Sequence, residues 1–291
     1  KVLLNSQVYE LKQSDIDVTV TTTDGRSYKA KYLIMAIPLP LQMKLHYDPP
    51  LPPLRNQLIQ RTPVGCVIKA NVYYKKPFWR AKGFNGFLAC RDGQLVLGNV
   101  LDDCRDNLPL AAVTVFVFAD HAIKMQGLSK EERMKIIAQD LAKAYGCDEG
   151  LQPVHYEEKN WLGEQYSGGC YVSTYPPGVL SRYGRTIRKP FNLVYFGGTE
   201  TATSWPGYMN GAVQAGERAA REVLHALGHI SYSSIWKEEP EIKEVPAKPF
   251  QLSFIERHPP SFRTIISFIG LSTVGCISAT CFLLYRYLYK P

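Results

Sequence analysis

In Tyr166-Ser167-Gly168-Gly169-Cys170-Tyr171 two glycines run directly into a thiol. Glycines let a backbone come close to a large flat ligand. The cysteine beside them could be a nucleophile, the attachment point of a cofactor, or a buried structural residue. A second segment pairs Tyr195-Phe196-Gly197-Gly198-Thr199-Glu200-Thr201 with Trp205-Pro206-Gly207-Tyr208-Met209-Asn210-Gly211-Ala212. It reads as a strand, a glycine turn and a helix start. Backbone N–H groups and the dipole at such a start stabilise negative charge. That suits a ring that gains charge on reduction; an ordinary connection has the same pattern. Lys69 interrupts the half-buried run Cys66–Val72 and needs a partner or an open end there. Trp161, Tyr171, Tyr175, Trp205 and Tyr208 could line a pocket or belong to an aromatic core.

These residues need elements to position them. Residues 15–38 read as a hairpin turning at Asp24-Gly25, then a buried run, Tyr32–Ile37, that Pro38 ends. Residues 39–56 are rich in proline and predict a crossing loop. Val, Ile, Tyr and Phe predict strands near 64–74, 86–90, 95–99 and 112–119, in a mostly antiparallel sheet. Ser129 and Glu132 form a capping box for a helix that Gly146 stops. A strand, Leu193–Phe196, precedes an Ala-rich helix from about Asn210 to Leu227. Residues 231–262 predict an extended linker lying on the body. Thr264 to Tyr285 holds no charged residue and is flanked by Arg263 and Arg286. A helix of that length spans a hydrocarbon core, and the nearby tyrosines suit its interface.

Composition limits the classes further. Of 291 residues, 45% are hydrophobic and 21% charged, as in globular proteins. The net charge of +8 is scattered, which disfavours nucleic acid. Near the C-terminus it suits an anionic membrane surface better. Seven cysteines form no CxxC pair, so neither a disulfide framework nor a metal site is expected, and a reducing compartment is.

Taken together, SGGCY, YFGGTET, WPGYMNGAVQAGERAA, HYEEKNW and VIKANVYYKKPFW resemble the flavin-dependent amine oxidases, and within them the monoamine oxidases, in order and spacing. The resemblance runs over essentially the whole chain. A cysteine in SGGCY with a terminal apolar segment separates it from the related polyamine oxidases and histone demethylases, which hold FAD non-covalently. The resemblance implies an α+β or α/β chain with the FAD-linked amine oxidase fold and a C-terminal transmembrane helix. Residues 1–55 would belong to the FAD-binding domain and 56–160 to a mostly antiparallel substrate domain. Residues 161–230 would form the flavin end, 231–262 the linker and 263–291 the anchor. It implies FAD joined to Cys170 through an 8α thioether. Tyr171 and Tyr208 would be two parallel rings of an aromatic cage, and Lys69 would hold a water against flavin N5. Trp161, Thr199 and Met209 would lie against the flavin, Val8 near the adenine, and Phe116 in the substrate cavity. Ala89 and Asn99 stand where mammalian members carry bulky gating residues, which predicts a wider cavity.

The implied reaction converts primary and some secondary or tertiary arylalkyl amines to imines, then aldehydes, with H2O2 formed from O2. The amine must react as the free base, and no acid or base in the sequence stands out for its proton. The resemblance places the protein on the mitochondrial outer membrane, held in lipid by its C-terminus with the catalytic body in the cytosol. It also allows a homodimer. The family's GxGxxG turn does not occur here, and the chain opens inside a strand-like stretch, so an upstream segment is expected to supply it. The alternative is a catalytically inactive tail-anchored fragment or isoform.

Overall fold

The computed structural model describes residues 1–91 and 93–237. The predicted membrane segment and most of the predicted linker lie outside the described residues. Among those residues, no helix is long and apolar enough to cross a membrane.

Strands β1 (Val8–Gln13), β2 (Val18–Thr22) and β3 (Ser27–Ala30) form an antiparallel meander. Gly25, at φ 82°, closes the predicted turn and donates its N–H to Thr22 O at 2.8 Å. The predicted buried run is shorter than expected: only Leu33–Met35 forms strand β4, and Ile34 and Ile37 stay partly exposed.

The expected loop at 39–56 is instead ordered. It holds a short 3-10 helix at Leu39–Lys44, strand β5 (His46–Asp48), parallel to β1, and helix α1 (Pro53–Ile59). Pro53 occupies the first helical position, where its missing N–H costs nothing, so proline starts this helix rather than breaking it. Leu39, Leu41, Leu58 and Ile59 are buried, and that burial overrides the loop-like composition. Arg55 of α1 is buried too. It donates to Thr186 O at 3.0 Å, Ile187 O at 3.2 Å and Gln42 Oε1 at 2.8 Å, and lies over the Phe196 ring. Burial pushes its guanidinium down to about 9. The expected domain boundary at 55/56 therefore falls inside a helix.

The largest sheet has the order β10-β6-β9-β8-β7 and is antiparallel throughout. Its strands are β6 (Val67–Tyr74), β7 (Leu88–Ala89), β8 (Asn99–Asp102), β9 (Ala111–Phe118) and β10 (His155–Asn160). Two short helices, α2 (Phe78–Ala81) and α3 (Ala119–Lys124), follow β6 and β9. The strand expected at 95–99 forms later, at 99–102, because the Val96 N–H goes to the Asp140 carboxylate at 2.7 Å.

One face of this sheet is the main core. Ile68, Ala70 and Val72 of β6 point to it with Val113, Val115 and Val117 of β9. Helix α4 (Lys130–Tyr145) covers that face with Ile137, Leu141 and Tyr145. Both halves of its predicted capping box form, and Gly146 ends it at φ 60°. Arg133 of α4 clamps Glu158 of β10, with Nε 3.0 Å from both carboxylate oxygens.

After the short helix α5 (Val179–Tyr183), strand β11 (Val194–Phe196) pairs in parallel with β4. It leads through Gly197-Gly198 to helix α6 (Met209–Ala226). A Cβ on Gly197 would lie 2.9 Å from Ile34 Cγ2 and 3.4 Å from Ala219 Cβ, so glycine and alanine here let strand and helix pack closely.

Candidate functional site

The register of the large sheet places five residues directly opposite one another. Lys159 pairs with Lys69, Lys69 with Phe116, Phe116 with Asn99, and Asn99 with Ala89. Directly opposed residues share a face. This row therefore lies on the face away from the main core, and it contains four of the residues singled out from the sequence. Two lysines opposed in this way would repel, but their heads diverge. Lys159 pairs with Glu164 and lies 5.6 Å from the Trp161 ring, whereas Lys69 Nζ lies 5.8 Å from the Phe116 ring. Among the described residues Lys69 makes no ion pair.

Tyr171 extends the row towards the glycine turn. Its ring is 6.2 Å from Phe116 and 6.4 Å from Phe118, and those two phenylalanines stack at 6.0 Å. Phe118 was not singled out from the sequence; its position two residues after Phe116 on one strand was the available signal.

The turn borders a cleft of about 370 Å3 lined by Gly169, Tyr171, Gly197, Gly198, Thr199 and Glu200, among others. Its wall carries small residues, as a flat ring would need. Ser167 belongs to the same wall, and its hydroxyl is buried with no hydrogen-bond partner among the described residues. Glu200 is buried and accepts from Ser173 Oγ at 3.2 Å. Neither residue was singled out from the sequence, because burial of a Ser or Glu leaves no local pattern. A second, apolar cleft of about 370 Å3 contains Val8 and Leu11 and shares Ala36 with the first. Ala36 thus stands on the walls of both clefts, Val8 on one and Gly197-Gly198 on the other.

Cys170 is 9% exposed, and burial raises its thiol above the ordinary value. It therefore rests as a neutral thiol between Gly169 and Tyr171, both on the cleft wall. Burial raises the Tyr171 phenol as well. Cys170 is held by the lead-in to β6: its N–H donates to Gly65 O at 2.9 Å. A Cβ on Gly65 would lie 2.4 Å from Cys170 O, and one on Gly169 2.6 Å from Gly65 O. The importance of Gly65 was invisible in the sequence.

Tyr208 precedes α6 and meets Trp205 edge-on at 5.7 Å. Among the described residues no ring contact joins Tyr171 to Tyr208. They are 62% and 64% exposed. The residues next to them in the chain do meet, because a Cβ on Gly207 would lie 3.0 Å from Val172 Cγ1. Met209 is highly exposed at the helix start, and Trp161 sits at the Lys159 end of the row rather than on the cleft wall.

Residues 1–224 match the family described as flavin containing amine oxidoreductase. Amine oxidase (flavin-containing) B of Mus musculus is 49% identical over 286 residues, covering 98% of this chain and 55% of that protein. The Homo sapiens protein of the same name matches to the same extent. This chain thus spans about half the length of the curated relatives it matches. A solved putrescine oxidase bound to putrescine is 31% identical, with a TM-score of 0.72 over 77% of this chain and 49% of that one. With the match running from β1 through most of α6, the chain belongs to the flavin containing amine oxidoreductase family.

Proposed function

We propose that this chain is the flavin end and substrate sheet of an FAD-dependent monoamine oxidase acting on arylalkyl amines. The observation that carries the reading is the continuous path Lys69–Phe116–Tyr171, which runs along one sheet face into the glycine-lined cleft. The small-residue wall and the orphaned Ser167 hydroxyl fit a flat polar ring there. Gly197-Gly198, the Thr199 backbone and Gly169 would hold that ring, Val8 the far end of the dinucleotide, and Cys170 a covalent thioether. When bound, FAD supplies the two-electron oxidation of the amine to an imine, which water hydrolyses to an aldehyde, and O2 takes the electrons as H2O2.

The protein's own contribution is binding, orientation and exclusion of water. The faces of Phe116, Phe118 and Tyr171 attract an ammonium group, and a dry aromatic wall then favours its neutral form. Tyr208 would close the opposite side, leaving a gap for the amine between two rings that are not in contact. Lys69, with no carboxylate paired to it among the described residues, has donors free to orient a water for the oxygen half-reaction. At the far end of the row, Ala89 and Asn99 put small side chains in line with Phe116, which would favour bulky arylalkylamines. The apolar segment at 264–285 would anchor the protein in the mitochondrial outer membrane, with the body in the cytosol. Its charge-free length supports this.

Four outcomes are expected of the protein expressed from its complete reading frame. Cys170→Ala should let flavin leave on acid precipitation; flavin retained with the denatured mutant removes Cys170 as the attachment point. Tyr171→Leu and Tyr208→Leu should each lower kcat/KM about tenfold. Tyr175→Leu should change it less, since Tyr175 packs with Leu58, Val179 and Ile187 away from the row. Steady-state kinetics showing equal effects at all three positions would contradict the cage. Ala89→Ile with Asn99→Tyr should shift kcat/KM from bulky amines towards benzylamine by about threefold to tenfold, as each unfilled CH2 forfeits roughly 0.8 kcal/mol. An unchanged substrate ratio removes these two as the gate. A chain cut after Phe262 should leave the carbonate-resistant membrane fraction; persistence there would show that another segment is the main anchor.

A further inference from the structure

Tyr208 is carried on a turn whose backbone is not self-supporting. Trp205 has φ 53°, in the left-handed region that a bulky side chain rarely adopts, and Gly207 has φ 87°. Such a conformation persists only where its surroundings hold it. Three contacts do so. The Tyr208 N–H donates to Trp205 O at 3.1 Å. The first turn of α6 lies directly against that carbonyl, since a Cβ on Gly211 would come within 2.1 Å of it. The third contact is a side chain: the Thr199 hydroxyl accepts the Gly207 N–H at 2.8 Å and donates to Tyr208 O at 3.1 Å. A hydroxyl has one donor and two acceptor sites. Its donor and one acceptor are therefore committed to the residues on either side of the Gly207–Tyr208 peptide.

We propose that Thr199 is a positioning residue, whose hydroxyl holds the Trp205–Tyr208 turn and so sets where the Tyr208 ring stands. The hydroxyl spans the glycine turn after β11 and the start of α6. It links the cleft wall, which Thr199 lines, to the ring expected to face the amine. The Trp205 edge contact with Tyr208 depends on the same turn. Only the kinetic consequence rests on the cage reading given above; the pin itself rests on the two hydrogen bonds.

The test uses holoenzyme from the complete reading frame carrying T199V, T199A or T199S, each with and without Y208L. Hydrogen–deuterium exchange is read at the Gly207 amide in peptides spanning 203–210. Kinetics are read as kcat/KM for an arylalkylamine. T199V and T199A should speed exchange of that amide by about tenfold or more, while T199S stays close to the parent. Both should lower kcat/KM about fivefold when Tyr208 is present and less than about twofold with Y208L, with T199S restoring activity. Unchanged exchange in T199V and T199A overturns the pin. Equal losses with and without Y208L would place the hydroxyl's action elsewhere in the cleft and overturn the positioning role. If Y208L alone leaves kcat/KM unchanged, the cage reading falls, and the exchange measurement still decides the pin.

Discussion

The sheet and the cleft meet where the chain before β6 crosses the strip after Gly169. Cys170 N–H bonds to Gly65 O, Thr174 N–H to Pro63 O at 2.7 Å, and Val64 forms a bridge with Ser173. The approach is so close that neither Gly65 nor Gly169 has room for a Cβ. Everything at the site depends on this crossing. It lies between Lys69, only four residues downstream on β6, and the cleft wall formed by Gly169 and Tyr171. It also brings Tyr171 over Phe116 and Phe118, so that row and cleft become one path.

Two kinds of packing keep the parts that flank this crossing rigid. The large sheet is pinned to α4 by apolar burial on one face and by the Arg133–Glu158 pair at its edge. Removing one partner of such a sheltered pair leaves a desolvated charge, so this clamp matters more than surface ion pairs do. On the cleft side the fixing is polar. Arg55 ties α1 to the 184–187 turn and to Phe196, while Arg218 of α6 donates to Phe196 O at 2.6 Å and Thr201 Oγ1 at 2.7 Å. Both guanidiniums anchor the strand that feeds the glycine turn. The aromatic row of Phe116, Phe118 and Tyr171 is therefore carried on a buried frame.

Much of the local structure was legible because its signals are local. The Asp24-Gly25 turn, the capping box of α4 and its glycine stop, the strands near 64–74 and 112–119, and the strand–glycine–helix order after Val194 formed as the residues predict. The misreadings were also physical. Proline at 52–53 marked a helix start rather than a loop, and the Asp140 carboxylate drew Val96 away from the strand ladder.

The sequence by itself determined which residues share a face: a strand's period of two sets Lys69 opposite to Ile68 and Phe116 opposite to Val115. It also carried the family resemblance that pointed to Cys170, Tyr171 and Tyr208. Only the tertiary structure decided that Lys159, Lys69, Phe116, Asn99 and Ala89 form one row, because register depends on pairing between distant strands. It alone disclosed Gly65, Ser167, Glu200 and the Thr199 hydroxyl as parts of the site. Their roles come from contacts with segments far away in the chain, or from burial, and neither leaves a pattern in neighbouring residues.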